Sequence, residues 1–148
     1  MGILANSDEY FMQEALKEAK KAFDENEIPV GAVIVSNGRI IARSFNMTEK
    51  LNDVTAHAEM LCFTSAATFL NSKYLKDCTL YVTLEPCLMC AGASFWTQIP
   101  KVIFGAPDVK RGFSNISSHV FHPQCEVKGG LLADECSALL REFFQGKR

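Results

Sequence analysis

Long apolar runs are missing from this 148-residue chain. None approaches the roughly 20 residues that cross a bilayer as a helix, so no membrane span is expected. The opening residues MGILANSDEY lack the basic stretch and long apolar core of a secretion signal. Gly2 is followed by Asn6, where an N-myristoylation signal needs Ser or Thr, so a plain chain end is expected there. Internal repeats and low-complexity tracts are also absent, which excludes solenoids and disordered tails. Charge of one sign is scarce. Lys plus Arg number 15 and Asp plus Glu 17, giving a net charge of −2 and a pI near 5.9. That balance argues against a general nucleic-acid coat, which carries a basic footprint. A local basic patch stays open, because Lys101, Lys110 and Arg111 lie in one stretch and Arg141, Lys147 and Arg148 near the end. Six cysteines occur, yet without a secretion signal they are expected to be reduced thiols. Cys62, Cys78, Cys125 and Cys136 read as small buried hydrophobes. What remains is a chain of single-domain size over residues 1–148, 48% hydrophobic and 22% charged. A chain of this length buries a core without staples.

The pattern of apolar residues orders that domain. Residues 7–25 predict a helix with Ser7 as N-cap, Asp8 and Glu9 in the first turn, and Pro29 closing the element. Val30–Val35 and Arg39–Phe45 read as strands. Asn37-Gly38 between them signals a hairpin, because both turn positions need positive φ. Residues 56–70 predict a second helix, Thr79–Leu84 a buried strand, 87–96 a third helix behind Pro86, and Lys101–Gly105 a further strand. Residues 106–125 read as irregular. A last helix is expected at 134–145, capped by Asp134 and stopped by Gly146. Strands alternating with helices predict a layered α/β domain with helices on both faces of a mixed sheet.

Three side chains are candidate metal ligands: His57 in TAHAEM, and Cys87 and Cys90 in EPCLMC. Two sulfurs at Cys-x-x-Cys spacing reach one ion from a single helical turn, and zinc accepts such N and S donors. Structural zinc normally takes four protein ligands, while catalytic zinc takes three and leaves a place for water. The three-ligand count therefore favours catalysis. His119 and His122 are the spare candidates, but neither has a partner at ligand spacing. Glu59 stands two residues after His57, an offset of about 200° within a regular helix. Both side chains can face one ion only if the helix begins there, and the polar run TEKLNDVT before Ala56 supports that start. The same holds for Cys87 and Cys90 behind Pro86. Two helix N-termini aimed at one site would stabilise thiolates. An acid beside the metal but not bound to it is the right type to shuttle protons. His57-Ala58-Glu59 with Pro86-Cys87-Leu88-Met89-Cys90 matches the H-x-E…P-C-x-x-C signature of zinc nucleobase deaminases. Each half alone is weak, since Cys-x-x-Cys also serves as a redox pair. Together, each opening a helix, they are specific.

The segments around these motifs carry a closer likeness. EIPVGAVIV (27–35), TAHAE (55–59), TLYVTLEPCLMCAGA (79–93), KVIFGAPDVKRG (101–112) and GGLLADECSALLREFF (129–144) closely resemble the bacterial tRNA-specific adenosine deaminases. The resemblance implies a cytidine deaminase-like fold, with three α-β-α layers and a mixed central sheet of about five strands. It also implies a cytoplasmic homodimer with one Zn2+ per subunit, acting on the wobble adenosine of a tRNA anticodon stem-loop to give inosine. It casts His57, Cys87 and Cys90 as zinc ligands and Glu59 as proton shuttle. Asn46 falls at a pocket position that hydrogen-bonds the target base, as an amide can. The Ala58 N–H is expected to contact the base or water. Asp108 and Lys110 fall on a loop that lies along the RNA; apart from the resemblance they read as a solvated loop. The chain departs from the family pattern in a shorter stretch from Phe113 to Glu126, with Phe121-His122-Pro123-Gln124 in place of an Asn-His-Arg/Lys element. Pro100 replaces a common Gly, and no longer basic tail follows Gly146-Lys147-Arg148. These departures bear on RNA contact and leave the catalytic core intact. The alternative is a deaminase of free nucleobases or nucleosides, such as guanine or cytosine, built on the same zinc site. A non-catalytic protein with structural zinc would need a fourth protein ligand.

Overall fold

The computed structural model of the protein describes residues 4–147; Gly2 and Arg148 lie outside the described residues. The order is α1 (Asp8–Asp24), β1 (Gly31–Ser36), β2 (Arg39–Phe45), α2 (Ala58–Leu70), β3 (Cys78–Leu84), α3 (Leu88–Thr97), β4 (Lys101–Ala106), β5 (Glu126–Lys128) and α4 (Ala133–Gln145), with a short 3-10 turn at Phe113–Asn115. The strands form one mixed sheet in the order β2-β1-β3-β4-β5. β1 runs antiparallel to β2 and β3, while β4 runs parallel to β3 and β5. Asn37 and Gly38 take φ of 52° and 73°, the mirror-image turn that suits a twisted hairpin.

Alternation along the central strands splits the core in two. Ala32 and Ile34 of β1, Leu80 and Val82 of β3 and Val102 of β4 pack with Cys62, Phe63 and Ala66 of α2 and Ala91 of α3. On the other face Val33, Val35, Tyr81 and Ile103 pack with Phe11, Met12, Ala15 and Leu16 of α1 and Cys136 of α4. Successive side chains of a strand point to opposite faces, so a strand apolar throughout needs cover on both sides. Burying each Val, Leu, Ile, Phe or Met contributes about 1.5–3 kcal/mol. α1 lies so close to β1 that a Cβ on Gly31 would overlap Ala15 O and Ala19 N. This is the close backbone approach that a strand glycine allows.

The element ends depart from expectation in instructive ways. Ser7 does cap α1, accepting from Tyr10 N at 3.1 Å. The helix closes through Asn26 at φ 62° and not through Pro29. Glu27 N reaches Ala22 O at 2.8 Å and Asn26 N reaches Phe23 O at 3.1 Å, the two bonds of a Schellman cap. Asp134 does not cap α4. The helix starts one residue earlier behind Leu132, held at φ 53° without a side-chain cap, and Asp134 is left in the first turn, where its charge still complements the dipole. Gly146 ends α4 in right-handed geometry with φ −67°, so the left-handed glycine stop is not used. β5, which follows the irregular stretch directly, is three residues long and mostly exposed, too short and too polar to leave an alternating signal.

Candidate active site

The two motif helices start where the chemistry needs them. His57 is the N-cap of α2, extended at φ −73° and ψ 154°, and Cys87 is the N-cap of α3 at φ −75° and ψ 173°. Neither makes a side-chain cap bond, so both side chains are free to face a ligand. Because His57 lies outside the regular helix, the 200° divergence from Glu59 never arises. His57 Nδ1 lies 3.6 Å from Cys87 Sγ and 3.5 Å from Cys90 Sγ. Ligands at about 2.1 and 2.3 Å on two corners of a tetrahedron sit about 3.6 Å apart. The donor set and its spacing therefore fit one zinc ion. His119 and His122 join no such cluster among the described residues. His122 instead accepts from Gln124 N at 3.2 Å and lies against the Phe95 ring.

The protons of this cluster are unevenly held. A hydrogen bond with the Cys90 thiol, aided by His57, brings Cys87 down to about 4. The same bond and burial drive Cys90 upward. Bonding to Cys87 raises His57. Zinc ligation takes deprotonated sulfur and neutral imidazole, so loading the site releases the remaining protons. Glu59, in the first turn of α2, is 4% exposed. Burial pushes its carboxyl up to about 7, the range in which a general acid–base group works at neutral pH.

A cavity of about 820 Å³ opens above the cluster. His57, Glu59 and Cys87 line it, as do Asn46, Ala58, Asp108 and Lys110. Cys90 sits behind Cys87, buried at 1% exposure. The structure thus brings together every residue that the sequence and the resemblance cast in the site. Asp108 is not a free loop carboxylate. Its Oδ1 accepts from Lys110 N at 3.1 Å and Arg111 N at 3.0 Å, an Asx-type turn.

Three wall residues carry little signal in the sequence. Glu85, inside the EPC motif, is overshadowed there by the cysteines, yet it is 4% exposed and lines the cavity. Arg111 and Arg141 read in the sequence only as members of separate basic stretches. α4 and the 107–111 loop line the same cavity, which brings Lys110, Arg111 and Arg141 to one place. Lys101 leaves that group, pairing with Glu126 at 3.8 Å. Glu27 makes a comparable buried anchor: it is 1% exposed and accepts from Glu49 N at 3.1 Å and Lys50 N at 2.7 Å. It ties the loop that follows Asn46 to the end of α1.

The cytidine and deoxycytidylate deaminase zinc-binding region matches residues 5–106. The tRNA-specific adenosine deaminase of Bacillus subtilis is 47% identical over 146 residues, covering 95% of this chain and 91% of its own length. The chain belongs to the tRNA-specific adenosine deaminase family. The family member of Aquifex aeolicus is 47% identical over 145 residues, with 95% of each chain covered. A solved tRNA:A34 deaminase is 44% identical with a TM-score of 0.81, covering 88% of this chain and 99% of that one. The chloroplastic tRNA(adenine(34)) deaminase of Arabidopsis thaliana is 45% identical over 159 residues, and the chain spans 12% of its length. The likeness reaches past the tRNA deaminases. The guanine deaminase of Nitrosomonas europaea superposes with a TM-score of 0.80 at 26% identity, covering 96% of this chain and 86% of that one.

Proposed function

We propose that the protein hydrolyses the 6-amino group of the wobble adenosine in a tRNA anticodon, giving inosine and ammonia. His57, Cys87 and Cys90 hold one zinc ion per subunit. Zinc bound there lowers the pKa of water toward 7 and makes hydroxide available at neutral pH. Glu59 does the proton work. Its carboxylate takes a proton from the attacking water and passes it to purine N1 as the C6–O bond forms. It then takes the proton of the new C6 hydroxyl and delivers it to the amine, which leaves as ammonia as the C–N bond breaks and C6=O forms. Asn46, whose amide both donates and accepts, hydrogen-bonds the purine from the wall. The Ala58 N–H, opening α2, points a helix N-terminus at the reacting group. Asp108 shapes the loop that carries Lys110.

The observation that carries the RNA substrate is the cationic mouth. Lys110, Arg111 and Arg141 converge on the cavity. Three carboxylates also line it, but Glu59 and Glu85 are buried and Asp108 is tied to loop N–H groups, which leaves the exposed Lys110, Arg111 and Arg141 to set the charge of the rim. A free base has no phosphate to meet such charges, whereas a flipped nucleotide brings its flanking backbone to the rim. The same chemistry on a free base is favoured only by the likeness to guanine deaminase. Offered an anticodon stem-loop with wobble adenosine, the protein is expected to form inosine in the RNA. Turnover confined to free guanine, cytosine or adenosine would contradict this reading.

The active unit is a homodimer, working in the cytoplasm with its tRNA. Trp96 at 77% and Phe69 at 67% exposure stand at the C-terminal ends of α3 and α2. A Leu75 N–Thr97 O bond of 2.8 Å ties the end of α3 to the segment that follows α2. These exposed aromatics at the ends of two adjoining elements are the side chains a second copy would cover. Phe95 is only half-buried, against Trp96 and His122. Light scattering at micromolar concentration is expected to give twice the chain mass, and a monomer counts against the dimer. No helix among the described residues is long and apolar enough to cross a membrane.

A further inference from the structure

The loop that carries the cationic rim is built around a carboxylate. Glu85 Oε1 accepts from Asp108 N at 3.1 Å, and Oε2 accepts from Ser114 N at 3.0 Å and Ser114 Oγ at 2.6 Å. Residues 108–114 therefore form an arch closed on one side chain. Its inner edge admits no side chain at Gly112, where a Cβ would overlap the Glu85 carboxylate. Gly112 also bridges to Cys87, and Phe113 N donates to Pro86 O at 2.8 Å. From Asp108 the order passes outward, since its own carboxylate holds the N–H groups of Lys110 and Arg111. Below the arch, Phe113 and Phe121 pack edge-to-face at 4.7 Å and fix its far end in the core.

We infer that Glu85 is a positioning residue for the RNA: it sets the arch, and through Asp108 it sets where Lys110 and Arg111 meet the substrate backbone. This rests on the tRNA reading above. Glu85 lies two residues before Cys87, so one short segment places both a metal ligand and the RNA-contacting loop. A purely structural carboxylate would cost folded protein when removed and leave substrate affinity alone. A positioning carboxylate changes KM through the cations it aims.

Glu85→Gln keeps shape and burial but offers an NH2 group where a carboxylate oxygen accepted. A donor then faces Asp108 N or Ser114. Charge-assisted bonds of this kind are strong enough that losing one is expected to raise KM for an anticodon stem-loop about tenfold. kcat is expected to stay within about threefold, with zinc content unchanged. In a Lys110→Ala/Arg111→Ala background, the same substitution is expected to raise KM by less than about threefold, because coupled residues are not additive. Ser114→Ala removes a single hydroxyl donor, keeps the carboxylate, and serves if Glu85→Gln does not fold. It is expected to raise KM about threefold. An active parent whose KM is unmoved by either variant overturns the inference alone. So does a Glu85→Gln effect that persists in full without Lys110 and Arg111. A parent protein that leaves the stem-loop unedited overturns the tRNA reading, and this inference with it.

Discussion

Glu59→Ala is expected to lower inosine formation by at least about a thousandfold while zinc stays bound at one per chain. Positioned acid–base groups contribute about 10²–10⁴-fold. Glu59 is asked to move protons at water, ring nitrogen and leaving amine, which places its loss toward the upper part of that range. The metal survives because Glu59 is not needed as a ligand. His57 Nδ1 already stands 3.6 and 3.5 Å from the two sulfurs, the spacing of a tetrahedral zinc that would keep its fourth place for water. Single-turnover editing of a stem-loop, with zinc measured on the same sample, separates the two effects. A variant that keeps most of its activity removes Glu59 from the mechanism. A variant that loses zinc makes Glu59 a ligand, and the three-ligand argument for catalysis falls.

The second large effect concerns stability. Cys87→Ala is expected to abolish tight zinc binding and to lower Tm by about 10 °C. A ligand present at a thousandfold its Kd stabilises the folded state by about 4.1 kcal/mol. For a chain of this size each 1 kcal/mol shifts Tm by about 2–4 °C. The stabilisation has a local origin as well. Cys87 opens α3 and His57 opens α2, so one ion held there would tie together two helix starts that come from distant parts of the sequence. A chelator should lower the Tm of the parent protein to nearly that of Cys87→Ala and leave the variant unmoved. Equal melting of loaded and stripped parent protein would show that the site adds nothing to the fold.

Much of the fold and the site is legible in the amino-acid sequence, for physical reasons that differ by residue. Asn37-Gly38 announces its turn because few pairs tolerate positive φ twice. His57, Glu59, Cys87 and Cys90 announce a metal site because the residue types are scarce and their spacing makes sense only at helix starts. β1 and β3 show as uninterrupted apolar strands because both faces are covered. The failures are equally physical. β5 is three residues at a sheet edge, and its pairing comes from its parallel neighbour and not from its own side chains. Asp134 looks like a cap by type. The chain, however, enters α4 through a left-handed Leu132, a backbone choice with no composition signal. Glu85 is silent because a buried carboxylate that accepts only backbone N–H and one hydroxyl has no charged partner to betray it. Asp108 and Lys110 are reached through resemblance alone. Arg141 joins them only when α4 folds back over β4, a relation that no linear spacing encodes.

The most direct test is one competition. The zinc-loaded protein receives an anticodon stem-loop with wobble adenosine together with equal concentrations of free adenosine, guanine and cytosine, and every product is read by mass. The account predicts inosine at the wobble position and unchanged free compounds. Deaminated free compounds beside an intact stem-loop would contradict it.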